Sequence, residues 1–110
     1  MSVIVKKNNI TMTRGDTARV DLKVYNDNGS LYTPVEGDVI RFAAKKSYAD
    51  ETVTILKDIP IDTLELVLEP EDTKLLDQPS TLVFDIQITM KDGTVDTFIK
   101  GTLKIEEEVE

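Results

Sequence analysis

Three constellations in this chain carry residue types capable of chemistry. The first is Arg14-Gly15-Asp16, the tripeptide that integrin-binding proteins display. A glycine that permits positive φ and an aspartate that accepts backbone N–H bonds also make a tight turn. Adhesion would require an extracellular address, and the start, MSVIVKKNN, lacks the long apolar core of a signal peptide. The turn reading is preferred. The second constellation, Asn26-Asp27-Asn28-Gly29-Ser30, looks like part of a calcium loop. Placing Gly29 at the sixth position puts Val24 first and Val35 twelfth, where carboxylates are required. The match fails, and Asn-Gly reads as a hairpin turn. The third is the supply of 21 Asp and Glu. A catalytic carboxylate pair needs a pocket that raises one pKa and leaves the other group ionised. Here the acids fall mainly on outward strand positions or in loops, where water solvates them. The five glycines stand isolated, so no phosphate-cradling loop is present. The expectation is a chain that is not an enzyme and holds no cofactor or metal.

Composition narrows the classes further. With no histidine, the commonest general acid–base residue and the commonest transition-metal ligand are missing. With no cysteine, disulfides and thiol chemistry are out as well. A net charge of −8, from 13 Lys and Arg against 21 Asp and Glu, makes a phosphate surface repulsive. No nucleic acid and no membrane is therefore expected among the partners. No apolar run approaches the length of a membrane span. The chain reads as a soluble product of a cytoplasm. Its 110 residues suffice for one domain, placed at 1–105, with an acidic tail at 106–110.

The elements that must position any site are readable from alternation. In Leu82 to Met90, Leu82, Phe84, Ile86, Ile88 and Met90 alternate with Val83, Asp85, Gln87 and Thr89. Asp92-Gly93 supplies a hairpin turn. On the return leg Val95, Ile99, Leu103 and Ile105 alternate with Asp96, Lys100, Thr102 and Lys104. The spacing sets Ile86 opposite Ile99, Leu82 opposite Leu103, and Asp85 opposite Lys100 on the other face. A one-residue slip would turn Asp96, Lys100 and Lys104 inward, which strongly specifies the register. Phe98 then falls on the polar face beside Gln87, Asp96 and Lys100, and Val83 is an apolar outlier on its strand's outer face. An exposed ring among scattered aliphatics marks a protein contact; a ring covered by a loop or a second-sheet neighbour is the competing reading.

Other strands are expected at Ser2 to Lys6, Ile10 to Thr13 and Ala18 to Tyr25, with a brief return at Leu31-Tyr32. Val39 to Lys46, Val53 to Lys57 and Leu64 to Leu68 follow, and Lys46 to Thr52 is a polar excursion. Pro70 and the acids after it suit the first turn of a short helix near 70–76. Short strands parted by turn signals, with one helical turn, predict an all-β antiparallel sandwich of about seven or eight strands.

The order of these segments also resembles a known family. Ile10-Thr11-Met12-Thr13-Arg14-Gly15-Asp16-Thr17, Val39-Ile40-Arg41-Phe42-Ala43-Ala44-Lys45-Lys46 and Leu68-Glu69-Pro70-Glu71-Asp72-Thr73 carry its first part. Val83-Phe84-Asp85-Ile86-Gln87, Asp92-Gly93-Thr94-Val95-Asp96-Thr97 and Gly101-Thr102-Leu103-Lys104-Ile105 complete it. The chain resembles small phage and prophage structural proteins of Gram-positive bacteria whose immunoglobulin-like domain is related to the N-terminal part of baseplate upper proteins. The resemblance implies a non-enzymatic virion component of the tail, baseplate or head surface, assembled in the host bacterial cytoplasm. Its partners would be other virion proteins, with homo-oligomerisation left open. Larger relatives continue into a receptor-binding or fibre region, so a standalone module that docks on a larger assembly fits better here. Phe98, Val83 and the Arg14-Gly15-Asp16 turn are the contact candidates. A carbohydrate- or peptide-binding immunoglobulin-like module is the alternative, and it would need exposed rings gathered on one face.

Overall fold

The computed structural model describes residues 9–26, 28–76 and 80–107. Two long strands form its middle: β8 (Ser80–Thr89) and β9 (Val95–Glu106). The turn between them closes through Met90 N–H donating to Thr94 O at 2.7 Å and Gly93 N–H donating to Met90 O at 2.8 Å. Ile86 pairs with Ile99, Leu82 with Leu103 and Asp85 with Lys100, as the alternation requires. On the other side of β8 lies β5 (Val39–Lys45), and beyond it β6 (Ile55–Ile59). Ile40, Phe42 and Ala44 sit against Ile88, Ile86 and Phe84. The Phe42 and Phe84 rings meet at a centroid distance of 5.1 Å and a tilt of 33°, within the range of favourable aromatic pairs.

The register changes once. Ile86 faces Ile99, but the next residue, Gln87, faces Thr97, so Phe98 is the extra residue of a β-bulge. The bulge turns two consecutive side chains inward: Phe98 is 5% exposed and Ile99 is 4% exposed. The exposed position expected for Phe98 is thereby corrected, and its ring joins the core cluster. Past the bulge the alternation is inverted. Val95, expected inward, is 58% exposed, while Asp96 is brought opposite the buried Ile88. The bulge does over three residues what a register slip would have done to the whole strand.

Two further expectations are revised. The first described strand, β1 (Asn9–Thr13), pairs with β9 in parallel, Ile10 beside Leu103 and Met12 beside Ile105. The five-stranded sheet, in the order β1-β9-β8-β5-β6, is therefore mixed and not antiparallel throughout. Parallel neighbours cannot be joined by a tight turn, and here nearly the whole chain separates them. The expected strand from Ala18 to Tyr25 is divided: β2 (Ala18–Asp21) pairs with β7 (Glu65–Leu68), while β3 (Val24–Tyr25) pairs with β4 (Leu31–Tyr32). Between them Leu22 N–H donates to Leu64 O at 2.8 Å. Leu64 holds that carbonyl in place at a φ of 52°, a left-handed conformation that costs a non-glycine residue about 1–2 kcal/mol. The described residues thus form nine strands, more than the seven or eight expected. The strand expected at Ser2 to Lys6 lies outside them.

The short helix α1 (Pro70–Lys74) falls where proline and acids placed it. Asp72 Oδ2 accepts the Glu69 N–H at 2.7 Å and the Lys57 ammonium at 3.0 Å, which ties α1 to β6. Val24, Leu66 and Leu68 from the two-stranded ribbons share one apolar cluster with Ile40, Phe42, Ile86 and Leu103 from the large sheet. The ribbons therefore cover one face of the sheet, and among the described residues none of the other face is buried. The described residues are all-β apart from the five of α1.

The burial of Phe98 is testable directly. Phe98→Ala should cost about 3–5 kcal/mol of stability, the range for truncating a buried ring, read as a shift of the denaturation midpoint. A surface contact residue would leave that midpoint where it is.

Candidate contact surface

The uncovered face of the large sheet is built by every second residue of its strands. Val83 on β8 lies between Lys45 on β5 and Thr102 on β9. Lys100 and Lys104 flank Thr102 two residues away on the same face of β9. With strands about 4.8 Å apart and same-face residues about 7 Å apart, three lysines surround one valine. Val83 is half-buried, as is Lys45, while Lys100 and Lys104 are exposed. One carboxylate, Asp85, sits opposite Lys100. Farther along the face Arg41 Nε meets Asp58 Oδ1 at 2.9 Å with both side chains more than half exposed, a pair that contributes little to stability. Sequence reasoning picked out Val83, but the lysine triangle needs the order of three strands and is invisible from any one of them.

Arg14-Gly15-Asp16 does form a turn, with Asp16 N–H donating to Thr13 O at 3.1 Å and Gly15 at a φ of 84°. Its arginine points back into the protein. Arg14 Nε donates to the Leu76 carbonyl at 2.6 Å, and an Nη donates to the Lys74 carbonyl at 2.9 Å. The guanidinium thus donates to two carbonyls at the C-terminal end of α1. Gly15 N–H donates to the Oγ1 of the fully buried Thr73 at 2.7 Å, and Arg14 N–H reaches the Glu106 carbonyl at 2.9 Å. Arg14 and Gly15 are therefore a clamp between β1, β9 and α1. Asp16 alone of the three is exposed.

A buried charged group was missed altogether. Asp38 is 6% exposed and gathers three donors. Tyr32 Oη lies at 2.6 Å and Val35 N–H at 3.0 Å from Oδ2; Lys91 N–H lies at 3.0 Å from Oδ1. Burial pushes its carboxyl pKa up, but the bonds from Tyr32, Val35 and Lys91 outweigh it and hold the group below its ordinary value. The same bond to Asp38, with burial and the neighbouring negative charge, raises the Tyr32 hydroxyl from 10.0 to about 12. Near neutral pH the phenol stays protonated and the carboxylate ionised, which makes a tie and not a proton shuttle. It fastens the loop after β4 to the β8–β9 turn. Gly37 belongs to it: at a φ of 101° a Cβ there would come within 2.9 Å of Lys91 Cγ. A glycine before an aspartate at a strand start is a visible signal; the partner 53 residues on is not.

Among the described residues no group of three or more acidic side chains is arranged to hold a metal ion, and no helix is long and apolar enough to cross a membrane.

Two outcomes follow for these ties. Arg14→Ala should lower stability by about 1–3 kcal/mol through the loss of its charged bonds to two carbonyls, while Asp16→Ala should stay within about 0.5 kcal/mol; urea melts of both variants compare them. Asp38 contributes stability that is present above its unfolded value and lost as pH falls through its lower folded value. Tyr32 contributes stability fully present below 10.0 and lost as pH rises through about 12. In Tyr32→Phe the alkaline loss tied to this group should vanish, and the acid loss tied to Asp38 should shrink, because its folded-state value moves up toward the unfolded one. No protein-family model matches this chain, and no curated protein matches it, so a functional reading rests on the surfaces described above.

Proposed function

We propose that this chain is a non-enzymatic structural protein of a phage or prophage particle, in its tail, baseplate or head surface. In this reading its two layers form an immunoglobulin-like sandwich that acts by protein–protein assembly with other virion proteins. The observation that carries the proposal is the open face of the five-stranded sheet. A half-buried valine with charged and threonine neighbours suits an interface centre with a polar rim. The order of segments resembling phage baseplate proteins points the same way. The excess of 21 acids over 13 bases disfavours nucleic acid and anionic lipid as partners.

The alternative, a carbohydrate- or peptide-binding module, is weakened by the fate of the rings it would use. Phe98 is in the core, Tyr32 is tied to Asp38, and Tyr48 stands exposed between β5 and β6.

The test uses particles from an induced lysogen that carries the gene, purified on a density gradient. The wild-type chain should co-sediment with them. Val83→Asp should reduce its incorporation about tenfold or more, as expected for a contact worth at least 1.4 kcal/mol, while Tm stays close to the wild type. Particles that never contain the chain would end the reading.

A further inference from the structure

The β8–β9 and β3–β4 turns share one hydrogen-bond pattern. In the first, Met90 N–H donates to Thr94 O at 2.7 Å, Gly93 N–H to Met90 O at 2.8 Å, and Thr94 N–H to Asp92 Oδ1 at 2.9 Å. In the second, Asn26 N–H donates to Ser30 O at 2.8 Å, Gly29 N–H to Asn26 O at 2.9 Å, and Ser30 N–H to Asn28 Oδ1 at 2.9 Å. Gly93 and Gly29 have similar φ values, 93° and 86°. Asn28 therefore occupies the position that Asp92 fills in the other turn. At Asp92 the Thr94 N–H and hydroxyl hold the carboxyl below its ordinary value. At Asn28 the Ser30 N–H and the Ser30 hydroxyl, the latter at 2.6 Å, converge on Oδ1 in the same way. There they meet a neutral amide, although such bonds are roughly twice as strong to an ionised oxygen. The turn is furnished for a carboxylate and holds an amide.

Asn28 also has the means to become that carboxylate. Its successor is a glycine at an exposed tip, and no described atom beyond the chain neighbours lies within 4 Å of where a Cβ on Gly29 would stand. The Gly29 nitrogen is thus unhindered beside the Asn28 side-chain carbonyl. We infer that Asn28-Gly29 is a site of spontaneous hydrolytic modification whose aspartyl product the β3–β4 turn is shaped to hold. The Gly29 N–H gives its proton to solvent, and the nitrogen attacks Asn28 Cγ. That bond forms, the Cγ–Nδ2 bond breaks, and ammonia leaves with a proton taken from water. Water then opens the cyclic imide. Opening at Cγ yields an aspartate at this position; opening at the main-chain carbonyl routes the backbone through the side chain. In sum, an amide and a water become a carboxylate and an ammonium ion. The closed turn restrains the first step, because Gly29 N–H is held by Asn26 O. Release costs little here. The ribbon has only two paired residues on each strand, and Asn28, Gly29 and Ser30 are exposed, the marks of a tip that opens locally. Its base stays anchored, with Val24 fully buried and Tyr32 bound to Asp38. An aspartyl product recloses on the Ser30 donors as Asp92 does on Thr94. A product with a lengthened backbone cannot restore the same bonds and leaves the tip open.

The experiment ages the full chain in mildly alkaline buffer and follows its intact mass, with peptide fragmentation to place the change. A gain equal to the exchange of an amino group for a hydroxyl should appear at Asn28, at a rate proportional to hydroxide. Asn28→Gln, whose closure needs a larger ring, should lose the gain while circular dichroism shows it folded. Asn28→Asp reproduces the aspartyl product and should melt no lower than the wild type at neutral pH. Ser30→Ala should lower the melting temperature of Asn28→Asp by more than that of the wild type, since it removes a donor from a charged acceptor. A chain whose mass at Asn28 stays constant overturns the inference, as does a gain that persists at that position in Asn28→Gln. An Asn28→Asp variant that melts below the wild type, or a Ser30→Ala effect equal in both backgrounds, would also overturn it, because the turn would then not be built for the product.

Discussion

The pairing of β8 with β9, with one residue too many on β9, is the constraint from which the rest of the structure follows. These are the two longest strands, and each has a second neighbour, β5 on one side and β1 on the other. A bulge adds twist and re-aims side chains. Without it, Val95 and Thr97 would share the face of Ile99, and Phe98 would fall on the opposite face with Lys100. With it, the segment from Ile99 to Ile105 keeps its apolar side against the ribbons, and Phe98 is drawn in beside Ile99. The local inversion has a cost. Asp96 is turned toward Ile88, and its Oδ2 is buried with no hydrogen-bond partner among the described residues, an arrangement that opposes folding.

The covered face of the large sheet was legible because its strands are half-buried and alternate strictly. Leu82, Phe84, Ile86 and Ile88 required one register, and Asp85 opposite Lys100 agreed with it. What defeated alternation was local chemistry that alternation does not encode. A bulge of one residue has no composition of its own, so Phe98 read as exposed. The split of the Ala18 to Tyr25 strand arises because its two halves pair with β7 and β4, and a partner's identity is not written in the strand that it joins. Parallel pairing of β1 was hidden for the same reason.

The sites divide in the same way. Arg14-Gly15-Asp16 was recognisable as a turn from its residue types, but the direction of its guanidinium depends on carbonyls 60 and 62 residues farther along. Asp38 looked like one more loop acid, and only the arrival of the Lys91 backbone makes it a buried tie. Val83 was visible as a misplaced apolar residue. Its lysine ring appears only once β5, β8 and β9 lie side by side. Features of one segment were readable, whereas features assembled from several segments had to wait for the topology.

The parallel alignment of β1 with β9 also orders events in time. Asn9 and Thr102 are joined by a side-chain hydrogen bond across 93 positions of sequence, so β1 has no ladder until almost all of the described chain has been synthesised. Contacts of such long separation are made slowly, since the loop they close must first be ordered. On the ribosome the β5–β6 hairpin can form early, while β1, with Arg14 at its end, waits without its clamp. β1 therefore stays an unpaired edge until β9 is available, and locking that edge follows the local pairings of the sheet.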